Sequence, residues 1–107
     1  MTTDDITIVS DLLRLAPIEP GKLGHHTALD VAGARVIVLA FPHGHLLKEH
    51  QAPRPIIMQA LDGLLRVSAA GQVHDLRPGE LIHLAASVPH AVEALADSRL
   101  SLTLLAG

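Results

Sequence analysis

The chain has 107 residues, which is enough for one domain with a single hydrophobic core and too short for two. Hydrophobic residues make up 49% of it and charged residues 18%, a composition typical of compact globular proteins that excludes a disordered chain. The formal net charge is −3 with the eight histidines counted as neutral, and the lysines and arginines are scattered, so the basic stripe used in nucleic-acid binding is absent. Cysteine is also absent, which excludes disulfides, thiolate metal ligands and a thiol nucleophile.

Targeting and membrane signals are missing from the sequence. The first residues include Asp4 and Asp5, where a secretory signal would be basic, and the longest apolar run, residues 36–41, is far shorter than a membrane span. We therefore expect a soluble cytoplasmic protein without a nucleic-acid or membrane partner. Phe41 is the only aromatic residue besides histidine, so any cavity should have aliphatic walls.

The predicted elements begin with a short helical segment within residues 3–15, because Ile6, Val9 and Leu13 recur at helical spacing behind a cap at Thr3 or Asp4. Prolines and a glycine at positions 17–21 end this pattern. Residues 1–20 are accordingly predicted as an N-terminal extension and residues 21–107 as a β-barrel domain. Short apolar runs predict eight strands, at residues 23–31, 35–41, 55–61, 64–68, 72–76, 81–84, 90–95 and 100–105.

Turn residues separate these strands at short intervals. Asp62–Gly63 is a strong signal for a two-residue hairpin, and Ala70–Gly71, Pro78–Gly79 and Asp97–Ser98 mark further turns. We expect consecutive strands to pair antiparallel, in an all-β barrel or sandwich that hides its strand edges.

Two glycine-anchored stretches carry a family resemblance. The first reads Gly44-x5-His50-x-Ala52-x3-Ile56-x6-Gly63 and the second reads Gly79-x5-Ala85-x-Ser87-x2-His90-x3-Ala94. Their spacings resemble the paired motifs of the cupin superfamily, in which three His and one Glu surround a divalent metal. The resemblance covers residues 44–94, about half of the chain, and implies a double-stranded β-helix, the jelly-roll barrel of small single-domain cupins.

The same comparison shows departures at the metal-ligand positions. Only His50 and His90 match, whereas Ala52 and Ile56 stand where the family has a second His and the Glu. A catalytic divalent site of this type needs about three protein ligands, so the resemblance implies at most a degenerate site for Fe, Mn, Ni or Zn. His83 is the favoured third ligand, and the others considered are His43, His45 and Glu49.

Plainer alternatives stay open for these residues. His50 and His90 are equally consistent with two inward-facing imidazoles that are hydrogen-bonded to each other, to water or to backbone without a metal. For His83 the plainer alternative, a strand residue on the outer face, is favoured over metal ligation. In the loop before His90, Ala85 and Ser87 replace the family's Pro and Gly, and we expect the loop to keep its path.

Three functions follow as hypotheses. The first is a binding module that holds a small apolar or weakly acidic ligand. The second is a divalent-metal-dependent dioxygenase or isomerase. The third is a structural or regulatory role through self-association, and we expect a homodimer in each case. The predicted ligand pocket consists of His50, Ile56, Met58, Ala60, His90 and Val92, with Ala94 beside them.

Overall fold

The computed structural model describes residues 5–106, which form nine strands and one short helix. The helix α1 spans Leu12–Leu15. The strands are β1 Gly24–Val31, β2 Ala34–Phe41, β3 Leu46–His50, β4 Ile56–Asp62, β5 Leu65–Ala69, β6 Gln72–Leu76, β7 Leu81–Leu84, β8 His90–Ala94 and β9 Ser98–Leu105.

The strands build two antiparallel sheets. Five strands are arranged in the order β1-β2-β9-β4-β7, and the other four in the order β3-β8-β5-β6. Aliphatic side chains of both sheets form one core cluster together with the ring of Phe41, which is fully buried. The predicted all-β, double-sheet architecture is therefore confirmed.

The connections between strands differ from a simple meander. In residues 5–106 only β1–β2 and β5–β6 pair with their neighbours in sequence. The hairpin predicted at Asp62–Gly63 is wrong, because β4 and β5 belong to different sheets and this turn carries the chain from one to the other. Gly63 has a φ of 75°, a conformation that is also common in hairpin turns. In this protein the turn connects two strands of different sheets.

Strand β2 is buried on both faces. Ile37, Leu39 and Phe41 point into the main core, whereas Val38 and Ala40 form a second cluster with Ala16 of the N-terminal segment. A strand covered on both sides needs apolar residues at every position, which explains why this segment is the longest apolar run in the sequence.

The N-terminal helical segment exists but is shorter than predicted. Helix α1 has four residues and begins after Asp11, whose carboxylate accepts a hydrogen bond from the Arg14 amide. Residues 6–9 are the β-branched run Ile-Thr-Ile-Val, which disfavours helix, and their apolar side chains are exposed, so no core face stabilises one. The predicted caps Thr3 and Asp4 lie outside the described residues. Within residues 5–106 no helix has the length and apolar character needed to cross a membrane.

Strand β3 was not among the predicted strands. Its burial pattern shows no regular alternation, because the pairing with β8 shifts register between Leu47 and His50. Such a β-bulge inserts one extra residue and interrupts the period of two on which strand prediction depends. The missed strand carries one of the two matched histidines.

Candidate functional site

The structure brings His50 and His90 together at one end of the barrel, which we call the barrel mouth. His50 is the last residue of β3, His90 is the first of β8, and the two are cross-strand partners. Their ring centroids lie 4.3 Å apart, with an interplanar angle of 59°. His90 is 3% exposed, whereas His50 is open to solvent. The motif spacing therefore predicted a real contact.

The bulge in β3 is what places His50 opposite His90. Leu47 pairs with Val92 and packs against the core, so strict alternation would put Glu49 on the inner face after it. The extra residue in the bulge shifts the alternation by one, so His50 rather than Glu49 becomes the cross-strand partner of His90.

Backbone carbonyls orient both imidazole rings. Nδ1 of His50 lies 2.8 Å from the Lys48 carbonyl oxygen, and Nδ1 of His90 lies 2.9 Å from that of Val88. A carbonyl oxygen can only accept, so Nδ1 carries the hydrogen in each ring and Nε2 keeps its lone pair when the ring is neutral. Metal-binding histidines are commonly oriented in this way, and the same arrangement suits acceptance of a hydrogen bond from a ligand.

The favoured third ligand does not join this pair. Ile82 packs against the core and Leu84 is buried, so His83 between them projects from the outer face of β7, where it is exposed. No group of three His, Cys, Asp or Glu side chains suited to hold a metal occurs in the part of the chain that the structure describes. The chain supplies two imidazoles to this end of the barrel, one ligand fewer than a catalytic divalent site needs.

The other candidate ligands also lie elsewhere. His43 and His45 precede β3, at the end of that strand opposite to His50, and a five-residue strand separates its ends by roughly 15 Å. Glu49 is exposed and lines a separate cavity of about 470 Å³ with the tip of the β5–β6 hairpin.

Most of the predicted pocket residues point inward, into a filled core. Ile56, Met58, Ala60 and Val92 are between 0% and 2% exposed, and all belong to the main core cluster. Side chains this deeply buried are enclosed by the core and present almost no surface to solvent. The open space lies instead at the barrel mouth.

A cavity of about 400 Å³ opens beside Ala52, and we call it the Ala52 cavity. It lies where the β3–β4 loop meets the β1–β2 hairpin and the end of β9. Ala52 follows His50 by two residues and packs partly against the core. The side chains that line it include Asp30, Val31, Ala34, Arg35, Ala52, Pro53, Arg54 and Leu104.

A hydrogen bond joins the two motif segments beside this cavity. The Ser87 amide donates to the Ala52 carbonyl at 2.7 Å, which ties the loop before His90 to the loop after His50. Ser87 adopts a φ of 66°, a left-handed conformation that favours glycine. The loop therefore keeps a glycine-type backbone without a glycine.

The arginines of the Ala52 cavity were missed at the sequence level. Arg35 is loosely held, with Nε 4.0 Å from an Asp30 carboxylate oxygen and Nη2 3.4 Å from the Thr27 hydroxyl. Arg54 makes no ion pair or side-chain hydrogen bond within residues 5–106. Arg35 and Arg54 are distant in sequence and come from different elements, so only the fold shows that they share a cavity.

A third cavity lies between the edges of the two sheets. It has a volume of about 280 Å³ and is lined by residues of β6 and β7, among them His74 and His83. The His74 ring lies 3.9 Å from the Glu80 carboxylate, and both side chains are about half exposed. Its lining also includes Ala69, the cross-strand partner of His90.

Comparison with solved structures identifies the fold. A cupin superfamily protein from Desulfitobacterium hafniense has a TM-score of 0.83 at 16% identity over 90% of this chain and 88% of its own. A conserved protein of unknown function from Streptococcus pyogenes has a TM-score of 0.84 at 20% identity over 95% of this chain and 90% of its own.

A further structure is a longer protein. A cupin 2 conserved barrel domain protein from Leptotrichia buccalis has a TM-score of 0.81 at 26% identity over 89% of this chain and 46% of its own. No protein-family model and no curated protein matches the chain.

Proposed function

Because the chain has the fold of a small single-domain cupin, we propose that it binds a small organic molecule in the Ala52 cavity, which is lined by the loop that follows His50. The observation that carries this proposal is the cavity of about 400 Å³ beside Ala52, which is the position where the resembled motif has a metal-binding histidine. Small-molecule sites typically have volumes of roughly 300 to 1,000 Å³, mainly apolar walls and a few polar groups.

The residues of the cavity offer a ligand both apolar and polar contacts. Ala34, Pro53 and Leu104 provide apolar surface for a ligand's carbon skeleton. His50 and His90 are not part of the cavity lining, but the exposed ring of His50 lies two residues before Ala52, and its Nε2 lone pair can accept a hydrogen bond from a ligand group that extends out of the cavity. The filled interior below keeps the ligand in the cavity, because core side chains occupy the space between the sheets.

A second candidate function is a divalent-metal-dependent dioxygenase or isomerase. The observation that favours it is the orientation of both imidazoles by backbone carbonyls, which leaves two Nε2 atoms able to bind a metal. Bound there, Fe, Mn, Ni or Zn would act as a Lewis acid or oxygen activator. With two protein ligands in the described residues, such a metal would need water or the ligand itself to complete its coordination.

The cavity is tested with untagged protein and nuclear magnetic resonance. A mixture of small aliphatic acids, amides and alcohols should shift amide signals around Ala52, and Ala52→Leu, which fills the cavity, should abolish those shifts. Thr7→Leu adds comparable apolar bulk to the exposed N-terminal segment and should leave binding unchanged. Shifts that survive Ala52→Leu would contradict this site.

The metal alternative has a separate test. Elemental analysis of the untagged protein is compared with that of a His50→Ala/His90→Ala double variant after incubation with each of the four metals. Near-stoichiometric metal that is lost in the double variant favours the enzyme. Metal-free wild-type protein favours the binding module.

We also propose that the protein forms a homodimer. Apolar side chains remain exposed on the N-terminal segment, with Ile6 at 56% and Ile8 at 53% exposure, and such residues are commonly covered in an oligomer. Analytical ultracentrifugation of the wild type and of an Ile6→Ser/Ile8→Ser variant tests this. A monomeric wild type would refute it.

A further inference from the structure

We propose that the ligand of the Ala52 cavity is an aliphatic carboxylate, and that Arg35 and Arg54 bind its carboxylate group. This inference rests on the proposed function, since it names the chemical class of the ligand at the same site. Guanidinium groups match the planar geometry of a carboxylate and can donate two hydrogen bonds to it.

The charge of the cavity differs in sign from that of the whole protein. The chain has a formal net charge of −3. The residues that line the cavity include two arginines and one carboxylate, Asp30, which gives the lining a net charge of +1. An anion that is repelled by the protein as a whole is therefore attracted locally at this cavity.

Arg54 is presented by a restrained loop. It lies between Pro53 and Pro55, whose rings fix their own φ angles and favour extended backbone at the residues before them. Both sides of the loop are anchored, because the Ala52 carbonyl accepts from the Ser87 amide and the Pro55 carbonyl accepts from the Leu105 amide at 3.1 Å. Because its backbone is already restrained, this loop loses little backbone conformational entropy when a ligand binds, and the cost of ordering is limited to the Arg54 side chain.

Arg35 lies on β2, and its guanidinium already contacts a carboxylate of the protein, that of Asp30. Its contact with Asp30 is long, at 4.0 Å, and both side chains are about half exposed or more, so the pair is weak. The Asp30 carboxylate occupies part of the space around the guanidinium that a ligand carboxylate would use. Removal of the Asp30 charge should therefore strengthen the binding of an anionic ligand. If Asp30 and Arg35 served only the stability of the fold, the affinity for the ligand would not rise.

The rest of the cavity indicates an aliphatic ligand. Val31, Ala34 and Leu104 contribute aliphatic side chains, and the chain's only Phe, Phe41, is buried in the core away from this surface. Nothing in the lining offers an aromatic face on which a planar ring could stack.

The experiment compares hexanoate with its neutral analogue hexanamide. Both are titrated at millimolar concentrations into isotopically labelled wild-type protein, and amide shifts locate the site and give each dissociation constant. We expect hexanoate to bind in the Ala52 cavity about tenfold more tightly than hexanamide. Added salt should weaken hexanoate binding alone.

Four variants assign the effect to residues. Arg54→Gln and Arg35→Gln should each weaken hexanoate binding several-fold towards the affinity of hexanamide, whereas Asp30→Asn should strengthen it. Arg14→Gln removes an equal charge from the exposed N-terminal segment and should change nothing. Preserved spectra confirm that each variant is folded.

The outcomes separate the two proposals. Equal binding of both compounds in the cavity, or equal weakening by Arg14→Gln and Arg54→Gln, overturns the carboxylate inference and leaves the binding site in place. Absence of shifts in the cavity with either compound, together with a negative result from the wider mixture, overturns both. Tighter binding of hexanoate that depends on Arg54 and Arg35 supports both.

Discussion

Among the glycines of residues 5–106, Gly63 is the one where an added methyl group would meet the closest neighbours. It lies at the crossing from one sheet to the other, and a Cβ there would meet the Ser98 hydroxyl, the Asp97 carbonyl and the Ser98 Cα. Two of these are backbone atoms, which cannot move aside as a flexible side-chain end can. The Ser98 hydroxyl also binds the Leu64 amide at 2.9 Å, so the two loops are fastened together at this point.

We predict that Gly63→Ala lowers the free energy of unfolding by at least about 3 kcal/mol, because the clash adds to the cost of a positive φ. Gly71→Ala is the matched control. Gly71 has a φ of 74°, close to the 75° of Gly63, but nothing lies within 4 Å of an added Cβ. Its cost should be about 1 kcal/mol. Equal losses in urea denaturation of the two variants would show that the contact does not matter.

At Ser87 we predict a substitution that stabilises the protein. Its φ of 66° is unfavourable for a residue with a Cβ, and its side chain is exposed. Ser87→Gly should therefore raise the free energy of unfolding by about 0.5 to 1 kcal/mol, while the amide keeps its hydrogen bond to Ala52. Ala85→Gly, in the same loop but without a positive φ, should destabilise the protein. Denaturant titration decides, and a loss of stability in Ser87→Gly would contradict this reading of the loop.

At the scale of elements, the hairpin β5–β6 contains the best-formed exposed ion pair. Arg66 and Asp75 are cross-strand partners, and the guanidinium donates to both carboxylate oxygens, at 2.8 and 3.2 Å. The hydrogen bond from Arg66 lowers the pKa of the Asp75 carboxyl below its ordinary value of 3.8. A lowered pKa in the folded state means that the ionised form stabilises the fold, so this contribution is present above pH 3.8 and is lost as the pH falls through the lowered value.

We predict that Asp75→Asn lowers the melting temperature slightly at neutral pH, and that the gap to wild type closes as the solution is acidified below pH 3.8. In an Arg66→Gln background the same substitution should have almost no effect, because the partner charge is gone. Melting curves at several pH values provide the measurement. A gap that persists in strong acid would assign the effect to something other than the ionised carboxylate.

The elements also show which features the sequence could reveal. Fixed spacing between glycines and histidines predicted that His50 and His90 would meet, because those offsets depend on backbone geometry. Strand β3 was missed because its bulge breaks the period of two, and the same bulge then places His50 correctly. Arg35 and Arg54 were missed because no local pattern links residues brought together only by the fold. The pairing of β4 with β7 and β9 was missed for the same reason. A turn signal shows where the chain bends, but it does not show which strands pair.

At the scale of the whole molecule, one arginine connects the N-terminal extension to the barrel. Arg99 of β9 donates from Nε to the Ala16 carbonyl at 2.6 Å and from Nη1 to the Asp62 carboxylate at 2.7 Å. Ala16 is fully buried against Val38 and Ala40 on the outer face of β2. Ala16 thus helps to complete the burial of a strand that is apolar on both sides.

We predict that Arg99→Met, which keeps the length of the side chain and removes its donors, releases this segment. The Ala16 carbonyl would lose its donor and the Asp62 carboxylate its ion pair, at a cost of about 2 kcal/mol, while Asp62 keeps the hydrogen bond from the Arg99 backbone amide. Because Ala16 precedes the first strand whereas Asp62 ends β4 within the barrel, loss of the Ala16 contact should act locally first. Amides of residues 12–18 should exchange with solvent faster, and a hydrophobic dye should bind as Val38 becomes accessible. Arg14→Met, whose side chain is 87% exposed, is the control and should leave exchange unchanged. If protection of residues 12–18 in Arg99→Met equals that of wild type, the apolar contacts of Ala16 alone hold the extension in place.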